Sequence, residues 1–436
     1  MKSGFELRDK NVVVLGLGLS GQSCVRFLLS HQARVTAMDS RLDLQLNLPI
    51  SPILGEFDPA ILAGAEMILV SPGIPLSTPA IQAAMAAGAE VIGDIELFAR
   101  YNHAKLLVIT GSNGKSTVTT LLTEMLKLAG KKVAMGGNIG IPALDLLAQE
   151  AEFTVLELSS FQLETTSSLR PLAATILNVS DDHLDRYADK AGYQQAKLRI
   201  YQDAQYLICN RDDPLTRPEG RQADYLFGLS ASDSGFSWDS HSATVLLDGE
   251  ALLKAADCLL VGGHNMQNIQ AAAALALCAG IDKASIVAAA RSFVGLPHRC
   301  QTVSGYKGVR WINDSKATNV GATVAAIQGL SQTQRGRLLL IAGGEGKGAD
   351  FSPLKPWLEA KVDVLLTLGK DGDKIACLKA DTIRVATLQE AVRQAARLSH
   401  SGDTVLLSPA CASLDMCTNY QHRGQCFVDA IGELAS

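Results

Sequence analysis

Short, nearly continuous apolar runs recur along the chain, each followed by a loop and then a stretch with helical spacing. NVVVLG (11–16), ARVTAMD (33–39) and EMILVSPG (66–73) open the series, with a helix near 21–31, a small-residue helix at 80–88 and then EVIGD. After Tyr101–His103 the pattern restarts: KLLVITG (105–111), a glycine-rich turn, and a helix to about Leu128. Further strands fall at 153–158 and 173–179. Continuous apolar strands that alternate with helices are the mark of parallel sheets buried on both faces. The stretch from about 220 to 257 differs, being rich in Gly, Ser and Asp with short alternating runs that predict strands at a domain edge. A helix of alanines and leucines follows at about 267–279. GLPHRC (295–300) is punctuated by Gly and Pro and reads as a hinge. Beyond it KGVRWIND (307–314), RLLLIAGG (337–344), VDVLLTLG (362–369) and DTVLLSPA (403–410) repeat the strand-then-loop unit. The pattern predicts an α/β protein of three domains: 1–93, 94–298 and 299–436.

A length of 436 residues agrees with more than one core, and 47% hydrophobic against 19% charged residues describes an ordered globular chain. The formal charge of −5 lacks the basic surplus of proteins that live on nucleic acids, so none is expected as a partner. Nine cysteines occur without a CxxC pair, which argues against zinc fingers and redox dithiols and fits a reducing cytoplasm. MKSGFELRDK has no apolar core of a signal peptide, and no run of about 18 apolar residues follows, so no membrane is expected.

Two glycine loops carry candidate chemistry. Gly16-Leu17-Gly18-Leu19-Ser20-Gly21 lies between a strand and a helix, with Asp39 ending the next strand. The spacing fits a dinucleotide fingerprint, whose glycines admit a pyrophosphate at a helix N-terminus. It equally fits a tight turn needing glycine only for packing, and it does not by itself recognise nicotinamide. The second loop is Thr110-Gly111-Ser112-Asn113-Gly114-Lys115-Ser116-Thr117. It lacks the first glycine of a standard P-loop, where Ile109 stands, but keeps the working end. Its backbone N–H groups can surround phosphates, Lys115 can neutralise them, and Ser116 or Thr117 can hold Mg²⁺. This loop reads as an ATP site.

Glu157, in LELSS, ends a strand where ligands of parallel sheets collect, and suits Mg²⁺. Just past another strand, LNVSDDHLDRY offers His183 beside Asp181, Asp182 and Asp185, as a second metal candidate or a solvated loop histidine. Lys197, by its neighbours alone, is a surface lysine.

These segments resemble the Mur ligase family, whose three-domain plan is shared by folylpolyglutamate synthase. TGSNGKST (110–117), LELSSFQLE (156–164), NVSDDHLDRY (178–187), AKLRIY (196–201), GGHNMQNIQAA (262–272) and LPHRC (296–300) carry the resemblance. NDSKATN (313–319) and SPACASLDMCTNYQHRG (408–424) are similar to members that add D-glutamate to UDP-N-acetylmuramoyl-L-alanine, a cytoplasmic step of peptidoglycan synthesis. The resemblance implies a Rossmann-like UDP-binding first domain, a P-loop-type ATP-binding central domain and a Rossmann-like third domain for the amino acid. It implies that Leu19, Ser20, Asp39, Ser40, Arg41 and Gly73 meet the UDP end and Asn138 the muramoyl end. Ser20 stands where the family often has threonine, and Tyr420 near where it commonly has phenylalanine. Two Mg²⁺ sites are implied, from Ser116, Thr117, Glu157, His183 and a carbamylated Lys197. Asn268, Arg299 and Asp314 would reach ATP and Lys316 would help close the site. Lys347, Thr318, Ser413 and Tyr420 would receive D-glutamate. The chain is read as a monomer. Rival readings are another amide ligase of the family, an NAD-dependent oxidoreductase built on GLGLSG, and a binding protein without turnover.

Overall fold

Apolar runs become strands with both faces covered, so successive residues enter different cores. The computed structural model describes residues 6–180, 182, 186–187, 189–260, 262–331 and 336–434; His183, Asp181 and Asp185 of the candidate motif lie outside them. In the first domain β1 (Asn11–Leu15), β2 (Arg34–Asp39), β3 (Ile53–Leu54), β4 (Met67–Val70) and β5 (Glu90–Ile92) form a parallel sheet of order β3-β2-β1-β4-β5. Val12 and Val14 of β1 enter one apolar cluster, and Val13 and Leu15 another. This is the two-residue repeat of a strand buried on both sides.

The central domain holds β6 (Lys105–Thr110), β7 (Val133–Gly137), β8 (Phe153–Glu157), β9 (Ala173–Ile176), β10 (Tyr206–Asn210) and β11 (Tyr225–Phe227). They form a parallel sheet of order β11-β10-β9-β6-β8-β7. An antiparallel ribbon, β12 (Phe236–Asp239), β13 (Thr244–Leu247) and β14 (Glu250–Lys254), fills the stretch where edge strands were expected. The alanine-rich helix runs Gly263–Cys278, with Ala271–Ala276 wholly buried. Small side chains let it lie close against the helix Lys115–Leu128 that leaves the phosphate-type loop.

In the third domain β15 (Gln301–Tyr306), β16 (Val309–Asn313), β17 (Leu338–Gly343), β18 (Val364–Leu368), β19 (Ile383–Arg384) and β20 (Thr404–Leu407) order as β15-β16-β20-β17-β18-β19. Only the β15–β16 pairing is antiparallel. β7, β10 and β15, like the two-residue β3 and β19, were not anticipated: VAMGG ends in two glycines and QTVSGY is weakly apolar, whereas YLICN, apolar at four of five positions, carried the signal of a buried strand.

The domains are joined unequally. One apolar cluster runs from Val12 and Leu69 through Phe98 to Val108 and Ile176, so the first two domains share a core. The two clusters of the third domain draw only on residues from 300 onward. Among the described residues no helix is long and apolar enough to cross a membrane. Because the alanine helix is packed without slack, Ala273→Leu is expected to destabilise the protein by about 1–3 kcal/mol in urea denaturation. A change below about 0.5 kcal/mol would mean that this contact has room to spare.

Candidate active site

The phosphate-type loop begins where β6 ends at Thr110 and runs into the helix Lys115–Leu128. Gly114 has φ +88° and no room for a Cβ, which would strike the side chain of Asn268. The loop is held from one side by Asn178. Its Oδ1 accepts from Asn113 N at 2.8 Å, its Nδ2 donates to Asn113 O at 3.1 Å, and its own carbonyl accepts from Ser112 N at 2.9 Å. Ser112 Oγ donates to Ser180 O at 3.1 Å and lies within hydrogen-bond distance of Tyr193 Oη at 3.3 Å. Backbone donors that would otherwise be unsatisfied are therefore fixed before any ligand arrives.

Glu157 closes β8 and is 2% exposed. Asn138 Nδ2 donates to its Oε1 at 2.8 Å, while Oε2 is buried without a hydrogen-bond partner. Burial pushes this carboxyl up, but the Lys115 and Lys316 charges and the Asn138 hydrogen bond outweigh it, so the net shift is downward. Lys115 folds back, donating from Nζ to Gly111 O at 2.7 Å and to Ser112 O at 3.0 Å. Burial lowers its pKa, against the pull of Glu157 and Asp182. From the third domain Lys316 Nζ donates to Ser116 Oγ at 2.8 Å, and from the linker Arg299 Nη2 donates to the same oxygen at 3.4 Å. Burial, with Arg299 nearby, brings Lys316 down to about 7. Lys197 is 1% exposed and its Nζ lies 4.3 Å from the Tyr193 ring centroid; burial and then the Lys115 charge lower its pKa well below the usual lysine value.

Two clefts meet at Asn113. One, with an empty volume of about 810 Å³ partly open to solvent, is lined by Gly114, Thr117, His264, Asn268, Arg299, Asp314 and Lys316. The other, about 1360 Å³, joins all three domains. Leu19 and Ser20 come from the first; Ser112, Lys115, Ser116, Asn138 and Glu157 from the second; Lys316, Thr318, Lys347 and Tyr420 from the third. A buried phosphate loop, an acid with a free lone pair and convergent cations are what phosphoryl transfer to a bound acceptor needs.

Family comparisons agree with this geometry. The Mur ligase MurD-like N-terminal domain matches residues 10–93, the Mur ligase middle domain 109–276, and the Mur ligase glutamate ligase domain 298–411. A Shewanella oneidensis protein named UDP-N-acetylmuramoylalanine--D-glutamate ligase is 50% identical over 97% of this chain and 98% of its own. The chain belongs to the Mur ligase family. A Haemophilus influenzae protein of the same name is 47% identical over 96% of the chain and 97% of its own. Among solved structures, the UDP-N-acetylmuramate-alanine ligase MurC of Thermotoga maritima superposes with TM-score 0.64 at 19% identity, covering 97% of this chain and 99% of that one. MurF ligase from the same organism, in complex with ADP, superposes with TM-score 0.64 at 18% identity, covering 98% and 95%.

Against this Mur ligase frame the anticipated residues fall into three groups. The loop 110–117, Asn138, Glu157, Asn268, Arg299, Asp314, Lys316, Thr318, Lys347 and Tyr420 gather at the two clefts, with Thr110 and Gly111 forming the buried root of the loop. Asp39, Ser40 and Arg41 stand apart, at the carboxyl end of β2. Asp39 accepts from Leu17 N at 2.6 Å and from Arg41 Nε at 2.8 Å, and the Arg41 hydrogen bond keeps its carboxyl well below the usual range. It thereby fixes the first glycine loop and presents an exposed guanidinium, while Gly73 follows the cleft residue Pro72. Ser413 is buried and does not line the cleft, and Lys197 lies beneath it rather than on its wall. Sequence reasoning missed Asn178, Tyr193, Gln162 and Asn319. Only Gln162 carried a local signal, the capping box with Ser159 that opens the helix Ser160–Glu164.

Asp314 accepts from Ser408 Oγ at 2.8 Å and from Cys300 N at 3.2 Å, and burial raises it from 3.8 to about 6. A raised acid contributes its full stability below the unfolded pKa and loses it as pH rises through about 6. Asp314→Asn, which cannot ionise, is expected to gain on wild type across that window, by on the order of 2–3 kcal/mol at neutral pH and by almost nothing at about pH 3.5. Denaturant unfolding at both pH values checks this; an equal difference at both would contradict it.

Proposed function

We propose that this chain joins D-glutamate to UDP-N-acetylmuramoyl-L-alanine at the expense of ATP, a cytoplasmic step of peptidoglycan synthesis. The observation that carries the reaction type is the cleft where Lys115, Glu157 and Asn138 of the central domain face Lys316, Thr318, Lys347 and Tyr420 of the third. The choice of substrates follows the relatives that are 47–50% identical over nearly their whole length. The chain divides at about 93 and 298 and acts as a monomer.

A carboxylate does not condense with an amine in water, because oxide is a hopeless leaving group. A carboxylate oxygen of the alanyl end attacks the γ-phosphorus of ATP, and ADP departs. The amine of D-glutamate then attacks the carbonyl carbon of the acyl phosphate, a tetrahedral intermediate forms, and phosphate leaves as the amide closes. Negative charge concentrates on the transferring phosphoryl group, where Lys115 is placed by its loop and Lys316 reaches in from the third domain. The N–H groups of Ser112 and Asn113 are already taken by Asn178, so those at Gly114 and Lys115 are the loop donors for the phosphates, and Asn268, Arg299 and Asp314 hold the rest of the nucleotide. The exposed Arg41, with Ser40, Leu19, Ser20 and Gly73, receives the UDP end; Asn138 receives the muramoyl end. Lys347, Thr318 and Tyr420, which line the cleft, take the two carboxylates of D-glutamate.

Mg²⁺ fits the residues present: Glu157 Oε2 is buried, anionic and without a hydrogen bond, and Ser116 Oγ lies in the same cleft. Bound there with Thr117 nearby, the ion would screen phosphate charge, and His183 and a carbamylated Lys197 would serve a second ion. Lys197 is suited to carbamylation because burial favours its neutral amine. The amine lone pair attacks the carbon of CO₂ and a proton leaves, which turns a costly buried cation into an anion able to support a metal.

Phosphate release is expected to require ATP, the UDP sugar and D-glutamate together, and to fall at least ~1000-fold in Lys115→Ala. Release driven by L-alanine, L-lysine or meso-diaminopimelate instead would overturn the assignment of the third domain. With carbon-13-labelled bicarbonate, the wild type is expected to show a carbamate carbon resonance that Lys197→Met lacks. The same spectrum from both proteins would remove Lys197 from this role.

A further inference from the structure

Asn319 does not line either cleft, yet it makes the most complete polar contact between the third domain and the phosphate loop. It is 5% exposed and directly precedes the helix Val320–Ser331. Its Oδ1 accepts from Asn113 Nδ2 at 3.3 Å and, as a helix cap, from Ala322 N at 2.9 Å. Its Nδ2 donates to Asn113 Oδ1 at 3.1 Å and to Asp182 Oδ2 at 3.2 Å. Both protons and both lone pairs of the amide are thus used, and only an amide offers that set. An aspartate would keep the cap but lose both donors, and would add a second charge beside Asp182.

The partner is also informative. Asn113 is the loop residue where the two clefts meet, and Asn178 already holds its backbone. Asn319 holds its side chain. On the far side the same helix carries Thr323, whose Oγ1 donates to Ser408 O at 3.2 Å, while Ser408 Oγ donates to Asp314 Oδ2 at 2.8 Å. A continuous set of hydrogen bonds therefore runs from the phosphate loop through Asn319 and its helix to Asp314 on the wall of the first cleft. Among the described residues no apolar cluster joins these two domains into one core, so polar contacts of this kind set how the third domain sits.

We infer that Asn319 is a positioning residue: its reciprocal amide pair with Asn113 seats the third domain on the phosphate loop, so that Lys316 and the nucleotide wall arrive in register with Lys115. This rests on the ligase reading above. The acyl phosphate forms and is attacked only when loop and third domain are seated together, so loss of the pair acts on turnover more than on binding of the UDP sugar, which the first domain holds.

The test is Asn319→Ser, which keeps a good helix cap and is too short to reach Asn113. Steady-state phosphate release with the full chain is expected to show kcat lowered by about tenfold or more, with KM for the UDP sugar within about twofold. The melting temperature is expected to stay within about 2 °C of wild type. In a double-mutant cycle, adding Asn319→Ser to Asn113→Ala is expected to cost little beyond Asn113→Ala alone. An unchanged kcat, multiplicative effects in the cycle, or a kcat that falls only in step with the folded fraction would each overturn the inference. A wild type that releases no phosphate would instead defeat the ligase reading itself.

Discussion

Lys115, Lys197 and Lys316 crowd toward the buried carboxylate Glu157 where three domains meet, with Arg299 and the acids Asp182 and Asp314 close by. Burying this much positive charge opposes folding, and the strain shows in the lysines, all three of which are held below their ordinary pKa. Such an arrangement makes sense only toward an anionic ligand. A polyphosphate would bring the countercharge, and the same cations would then serve the transition state, where charge is greatest. Most features of the molecule follow from the need to hold these groups against mutual repulsion until that ligand arrives.

The parallel sheets supply the rigidity. β1, β6 and β17 are each buried on both faces, and their carboxyl ends carry the first glycine loop, the phosphate loop and the loop of Lys347. The first two domains share an apolar cluster and act as one platform. The third has its own core and meets the platform through Lys316, Arg299 of the linker, and the Asn113–Asn319 pair. The cations of the third domain and the phosphate loop of the platform thus meet at the cleft that all three domains line.

The sequence made the architecture readable wherever the physics was local. Continuous apolar runs such as LLVI and RLLLIAGG can hardly be other than buried strands, and the Gly-Lys-Ser-Thr end of the loop names its own chemistry. Strands such as VAMGG stayed hidden because their pairing partners define them. Site residues divided along the same line. Glu157 sits at a strand end and Lys115 at the start of the helix that follows one, where position is itself a signal. Lys197 read as a surface lysine because nothing adjacent in the chain reveals that Tyr193 and Lys115 bury it. Asn178 and Asn319 are ordinary loop asparagines until the fold brings both to Asn113. The family resemblance supplied expectations that local residues could not, including those for Lys316 and Lys347, and both line the cleft.

The central claim is that the cations at the cleft are placed for a ligand and not for stability. Lys316→Met tests it directly, through denaturant unfolding of the nucleotide-free protein beside its phosphate release. The variant is expected to be as stable as wild type or more so, by up to about 1–2 kcal/mol, while turnover collapses. A variant that loses more than about 1 kcal/mol of stability would contradict it, by showing Lys316 to be a structural partner of Ser116 and Tyr420.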